Sequence, residues 1–163
     1  MTAGDQARVS VSVAVPPADA FRIFTEEIDQ WWRRGFKFRN SGKLPSTLHL
    51  ETRIGGRLFE AFETANGPQL VQTGEITAWD PPHRFRFDWR GANFAPGEKT
   101  EVEVQFAANT TGTLVTVTHR GWSRLRPDHP VRHGQEAAAF IRSIGLWWGE
   151  LMSSLREHAG SKI

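Results

Sequence analysis

A histidine at the end of an apolar row is the first candidate for polar chemistry in this sequence. His119 follows Val115 and Val117 at two-residue spacing. Alternate residues of a strand share one face, so the spacing predicts that His119 points into the interior. An inward histidine could anchor a ligand oxygen or transfer a proton near neutral pH. A hydrogen-bonded structural histidine is the more common case, and the sequence leaves both interpretations open.

Two carboxylates on another predicted strand could complete an acid–base pair with His119. Glu60 and Glu63 lie on opposite faces of the segment 56–63, so either register turns one carboxylate inward unless the strand bulges. A buried carboxylate is costly without a partner, and we expect burial to raise its pKa. Such a group could act as a general acid or base, or could orient a ligand. The simpler interpretation is a half-exposed carboxylate at a strand end.

The aromatic content is the most unusual feature of the composition, with 7 Trp and 11 Phe but no Tyr in 163 residues. A domain of this size with so many large rings either has a very aromatic core or lines a cavity with rings. We expect a ligand cavity, although plain core packing suits any single ring. The residues predicted to line it are Trp31, Trp32, Phe36, Phe59, Phe87, Trp89, His119, Trp122, Ile144, Trp147 and Trp148.

Metal and cofactor motifs are missing from the sequence. His129 and His133 have a helical metal-binding spacing, but Pro130 falls between them and is expected to open the helix, which leaves His129 outside it. The absence of cysteine excludes thiolate catalysis and cysteine-ligated zinc. There is no nucleophile elbow or phosphate-binding glycine loop either. We therefore expect no metal and no cofactor, and a binding domain rather than an enzyme.

The charge pattern gives no reason to expect a nucleic-acid partner. The formal net charge is +2, from 20 basic and 18 acidic residues, which is small. Basic stretches in 33–43 and 120–132 are interpreted as solvated surface. If both border the cavity mouth, they could attract a carboxylated ligand electrostatically. No apolar run approaches the roughly 20 residues needed to cross a bilayer, and residues 1–7 lack signal-peptide features. We expect no membrane partner and a cytoplasmic location.

The periodicity of the chain predicts the elements that position these residues. Closely spaced strands without intervening helices favour an antiparallel meander, and the last third changes to helical spacing. We expect one domain over residues 1–163, with its core at about 8–158. The predicted elements are a strand at 9–15, short helices at 18–25 and around 28–32, a loop at 35–45, strands at 47–53, 56–63, 70–79, 84–89, 100–106 and 113–120, and a long helix from about 133 to 158.

Five segments of the chain resemble one known superfamily, in the same order. They are VPPADAFRIFTEEIDQWW at 15–32, GGRLFEAFE at 55–63, GEITAWDPPHRFRFDW at 74–89, GTLVTVTHRGW at 112–122 and WWGELMSSL at 147–155. The chain resembles the START/SRPBCC helix-grip superfamily, and within it the subfamily named after the activator of heat-shock-protein ATPase. The resemblance implies an α+β fold in which a curved antiparallel sheet of six or seven strands grips the long C-terminal helix, with a cavity between them.

The resemblance does not imply one activity, because this superfamily hosts carriers, cyclases, hydrolases and protein-binding modules. Our first hypothesis is a binding or carrier domain for a small hydrophobic or aromatic molecule. The alternatives are a cyclase- or hydrolase-like enzyme that uses His119 with Glu60 or Glu63, and a stress-related, co-chaperone-like interaction module. The 163 residues leave no room for the separate co-chaperone domain of the eukaryotic activator, so we do not expect that activity. A homodimer through exposed tryptophans is left open.

Overall fold

The computed structural model describes residues 5–162. Part of the N-terminal segment 1–7, on which the signal-peptide expectation rests, lies outside the described residues. So do the two ends of the predicted 1–163 domain. The predicted core at 8–158 falls entirely within them.

The order of elements is the predicted one: a strand, two short helices, six strands and a long helix. Two 3₁₀ helices, Trp122–Arg124 and Pro130–Arg132, separate the last strand from the long helix. The strands and α-helices are β1 (Gln6–Val13), α1 (Pro17–Glu26), α2 (Ile28–Trp31), β2 (Ser46–Leu50), β3 (Arg57–Thr64), β4 (Gly67–Asp80), β5 (Arg84–Trp89), β6 (Thr100–Asn109), β7 (Gly112–Arg120) and α3 (Ala137–Gly160).

All seven strands form one antiparallel sheet in the order β1-β7-β6-β5-β4-β3-β2. Strands β2 to β7 are a meander, and β1 closes onto β7, so that the sheet curls around the helices. Period-two alternation puts Phe85 and Phe87 of β5 and Val117 and His119 of β7 on the buried face. The predicted α+β helix-grip fold is confirmed, and so is the inward direction of His119.

Helix α3 begins later than the sequence predicts. His133 adopts a left-handed backbone conformation, with φ of 49°, which ends the short 3₁₀ helix Pro130–Arg132 before α3 starts at Ala137. The expectation that Pro130 opens the long helix is therefore wrong, because Pro130 opens a separate turn that the ring of His129 caps by accepting the N–H of Val131. Neither α3 nor any other helix in residues 5–162 is long and apolar enough to span a bilayer.

The two halves of α3 pack differently. In the C-terminal half Trp148, Leu151, Met152 and Leu155 are buried in the main core, which also contains residues of β5, β6 and β7. In the N-terminal half Phe140 joins a second, smaller cluster, with Trp122, Leu125 and Phe94. Between the two clusters Ile144 and Trp147 are only partly buried. The space beside these two residues is where the candidate site lies.

A buried ion pair holds the loop between α2 and β2. The side chain of Arg39 is 1% exposed and its Nη1 lies 2.7 Å from Oδ1 of Asp29, while its other nitrogens donate to backbone carbonyls, among them that of Trp32 at 2.8 Å. The same Asp29 oxygen accepts the N–H of Leu48 at 2.8 Å. Burial by itself would raise the pKa of Asp29, but the hydrogen bonds from Arg39 and Leu48 outweigh it and hold the pKa below its usual value.

We expect Asp29→Asn to destabilise the fold by about 2 kcal/mol at neutral pH, because it leaves the buried Arg39 without its counter-charge. The pKa of Asp29 is lower in the folded chain than in the unfolded chain, so its contribution is present above pH 3.8 and is lost as the pH falls through the folded value. Urea unfolding at neutral and acid pH would measure both effects. The exposed Asp19→Asn is the control, and an equal loss in both variants would contradict the role of Asp29.

Candidate functional site

An open cleft of about 580 Å³ lies between the N-terminal half of α3 and the ends of β5 and β7. We call it the main cleft. Its walls are mainly apolar and aromatic, and its rim carries polar side chains such as Gln135 and Ser143. The predicted residues that line it are Phe36, Trp89, His119, Trp122, Ile144 and Trp147.

A second, smaller space of about 140 Å³ adjoins the main cleft. We call it the Glu60 cavity, because the Glu60 side chain forms part of its wall together with Trp32 and Phe38. Trp89 and Trp147 line both spaces. The predicted single cavity between sheet and helix is thus two neighbouring spaces, which share these two tryptophans, Phe36, Lys37 and Gly91 as lining residues.

Three of the predicted wall residues are core residues instead. Trp31, Phe87 and Trp148 are each at most 2% exposed and belong to the main core. The ring of Trp31 packs on that of Phe24, with 4.8 Å between the ring centroids, and its indole N–H donates to the Phe24 carbonyl. They line neither space, so the structure assigns to these three rings the plain packing role that the sequence left open.

Phe59 lies on the opposite side of the sheet from the cleft. Leu58 and Glu60 are buried, so the intervening Phe59 points to the outer face. There its ring stacks on that of His49, with 4.9 Å between the ring centroids. The Cζ atom of Arg57 lies 4.7 Å from the Phe59 centroid. The placement of Phe59 in the cavity wall is therefore corrected.

Both ring nitrogens of His119 are already engaged. The indole N–H of Trp148 donates to Nδ1 at 3.1 Å, and an indole nitrogen can only donate. We therefore assign the hydrogen to Nε2, which donates to Oγ1 of Thr100 at 2.7 Å. Burial lowers the pKa of His119 to about 3, so the ring is neutral. His119 therefore offers the cleft a ring surface rather than a free nitrogen, which agrees with the structural interpretation of this histidine and not with the oxygen anchor.

The carboxylate of Glu60 is buried but charged. Its two oxygens accept the backbone N–H groups of Asn40 at 2.8 Å and Ser41 at 2.9 Å. Burial would raise its pKa, but hydrogen bonds from Ser41 and Asn40 outweigh that effect and hold the pKa of Glu60 below its usual value. The expectation of a raised pKa is wrong. Glu63 is exposed, and within residues 5–162 no hydrogen bond joins His119 to either carboxylate, so the postulated acid–base pair is not assembled.

Trp122 supplies a polar group that the sequence reasoning missed. The indole N–H groups of Trp31, Trp32, Trp147 and Trp148 all donate to acceptors. That of Trp122 is buried and has no partner within the described residues, while the ring lines the main cleft. An unpaired buried N–H typically costs about 1–3 kcal/mol, so this donor is a local cost in stability. No sequence pattern marks it.

Phe140 is a second cleft residue that was not singled out. Its ring lies 5.0 Å from that of Trp122 at an angle of 81°, and it forms the wall one helical turn before Ile144. The signal was present, since the spacing of Phe140, Ile144 and Trp147 marks one face of α3. What the sequence could not indicate was where along that face the packing becomes loose.

The seven-stranded curled sheet and its long C-terminal helix define a helix-grip domain. The sequence model of the family described as "Activator of Hsp90 ATPase homolog 1-like protein" matches residues 14–144, and the chain belongs to this family. The predicted membership is thus confirmed. No curated protein matches the sequence significantly.

Solved structures with the same fold cover nearly the whole chain. An HSP90 activator from Plasmodium falciparum has a TM-score of 0.62 and 17% identity, with 96% of each chain covered. A protein of Nitrosomonas europaea has a TM-score of 0.64 and 15% identity, covering 100% of this chain and 99% of its own. A Staphylococcus aureus protein of unknown function has a TM-score of 0.67 and 12% identity, covering 96% and 93%. Family and fold together support a domain that binds a ligand or acts as such an activator.

We expect His119 to make the fold sensitive to mild acid. Its pKa is about 3 when folded and near 6.5 when unfolded, so its contribution is complete above pH 6.5 and is lost as the pH falls towards 3. From about pH 6.5 to about pH 5, the unfolding free energy of the wild type should fall more steeply than that of His119→Gln, by up to roughly 1.4 kcal/mol per pH unit. Urea titrations measure this slope. The exposed His49→Gln should keep the wild-type slope, and parallel curves for wild type and His119→Gln would refute the expectation.

Proposed function

We propose that this protein binds a small, largely apolar or aromatic molecule in the main cleft. The observation that carries the proposal is a cleft of about 580 Å³ walled by large rings, one of which, Trp122, has a buried indole N–H without a partner among the described residues. Ligand sites are typically concave, mostly apolar and equipped with a few polar groups that fix orientation. The main cleft has this composition.

The arrangement of the walls suggests what kind of molecule fits. Trp122 lies at 4.4 Å from His119 and at 5.0 Å from Phe140, measured between ring centroids. Neutral His119 adds no charge to this end of the cleft, so the ligand end placed here should be uncharged. We infer an apolar or aromatic body that carries no charge where it meets these rings.

Placing a larger ring in the cleft should block binding. Ile144→Trp fills the space beside Trp147, and we expect it to weaken binding of aromatic ketones about tenfold or more, which corresponds to about 1.4 kcal/mol. Quenching of tryptophan emission and native mass spectrometry would measure the affinity. Leu146→Trp is the matched control, because Leu146 is 73% exposed on the same helix and lines neither space. Unchanged affinity in Ile144→Trp, or an absence of saturable binding in the wild type, would contradict the proposal.

A second candidate function is an interaction with a chaperone ATPase in a stress response. It is favoured by the family membership and by Phe36, which is 76% exposed at the mouth of the main cleft. A projecting aromatic side chain is a typical contact residue for a protein partner. In this case the apolar cleft mouth would be part of a protein interface. A cytoplasmic location and a homodimer remain predictions alongside this candidate.

An ATPase assay separates this candidate from the first. If the chain activates a chaperone, adding it to purified Hsp90 should raise the rate of ATP hydrolysis, and Phe36→Ser should remove most of the increase because the interface loses its apolar contact. Leu70→Ser, at another exposed apolar residue far along the chain on β4, is the control and should keep the increase. A rate that does not change on addition of the wild-type protein would exclude this function.

A further inference from the structure

We propose that the Glu60 cavity binds a small organic cation of the alkylammonium class. The site is separate from the ligand position in the main cleft, and the inference does not depend on the proposed function. It rests on a buried anionic side chain, on the engagement of the neighbouring basic groups and on the arrangement of three tryptophan rings.

Glu60 is a buried negative charge whose known partners are neutral. Glu60 is 1% exposed, and its carboxylate oxygens accept hydrogen bonds from the backbone N–H groups of Asn40 and Ser41. Such donors stabilise the ionised carboxylate, but they do not cancel its charge. In the low-dielectric interior that charge attracts a cation more strongly than it would in water. Within residues 5–162 no basic side chain forms an ion pair with Glu60.

Two of the three basic residues around the cavity are paired with carboxylates, while the charge of Arg90 is not cancelled. Arg39 is bound to Asp29 at 2.7 Å. Lys37 pairs with Glu150 at 2.6 Å, and Arg90 donates to the Ala95 carbonyl at 2.9 Å. Two of these three cations therefore face an acidic partner. Glu60 is the carboxylate that lines the cavity itself.

Three tryptophans form the sides of the space. The centroid of Trp147 lies 5.7 Å from that of Trp32 and 5.7 Å from that of Trp89, and its plane is inclined by 74° and 78° to theirs. Trp32 and Trp89 are nearly parallel, with their centroids 6.4 Å apart. Rings at these separations are in direct contact with one another, so a cation in the cavity would lie beside this ring cluster and would be attracted by any ring face that borders the cavity. A carboxylate beside perpendicular aromatic rings suits a diffuse, weakly hydrated charge.

The volume limits the size of the cation. About 140 Å³ corresponds to roughly four or five water molecules at about 30 Å³ each. A tetramethylammonium-sized head group, which has five non-hydrogen atoms, is of this order. A larger cation would have to extend towards the main cleft, which shares Trp89 and Trp147 with the cavity among its lining residues.

The test compares choline with its neutral isostere 3,3-dimethylbutan-1-ol on the wild-type protein, at constant ionic strength. We expect saturable quenching of tryptophan emission by choline and at least about tenfold weaker binding of the alcohol, because only the cation gains the attraction of Glu60 and of the ring faces. Equal binding of the two compounds would overturn the proposal. So would a choline response no larger than that of sodium chloride.

Variants of one strand identify the charge responsible. Glu60→Gln should weaken choline binding about tenfold or more while leaving the weak alcohol binding unchanged. The exposed Glu63→Gln on the same strand β3 is the matched control and should bind choline as the wild type does. Circular dichroism and unfolding curves establish that each variant is folded. If Glu60→Gln fails to fold, the comparison of choline with the alcohol still decides the question, and equal choline affinity in a folded Glu60→Gln variant refutes the assignment.

Discussion

The hydrogen bond from Trp148 to His119 fixes the place where helix α3 stops filling the sheet. It joins the middle of the helix to the inward-facing residues of β7, and a second hydrogen bond joins His119 to Thr100 of β6. On the C-terminal side of this hydrogen bond, Leu151 and Leu155 are almost completely buried. On its N-terminal side the helix is separated from the sheet by the main cleft. His119, which by its residue type is a candidate catalytic group, thus lies where the closely packed main core ends and the main cleft begins.

The loop between α2 and β2 depends on two carboxylates that are tied to it in different ways. Asp29 holds it through the Arg39 guanidinium, and Glu60 holds it through the N–H groups of Asn40 and Ser41. Indole N–H groups add two more links, from Trp147 to the Lys37 carbonyl and from Trp32 to that of Phe38. These links fix the part of the loop that walls both spaces. They also explain why rings so near the surface keep defined orientations, since each ring has a polar tether as well as apolar contacts.

The fold could be predicted from the sequence wherever one face of an element is clearly more apolar than the other. The alternating residues of β5 and the row that ends at His119 met this condition, and their buried faces were predicted correctly. In β3 both faces carry a phenylalanine and a carboxylate, so the pattern does not distinguish the buried face, and Phe59 was placed on the wrong side. The fate of the Trp122 N–H could not be predicted at all, because a missing partner is a property of the packed structure rather than of residue spacing.

The shared architecture of this family does not decide between a bound small molecule and a chaperone partner, because one fold hosts many functions. Here the main cleft and the neighbouring Glu60 cavity differ chemically. One contains a neutral histidine and an unpaired indole donor, and the other contains an anionic carboxylate among rings. Leaving an N–H unpaired and a charge buried costs stability in the empty protein. A surface used only for docking through apolar contacts needs neither of these groups.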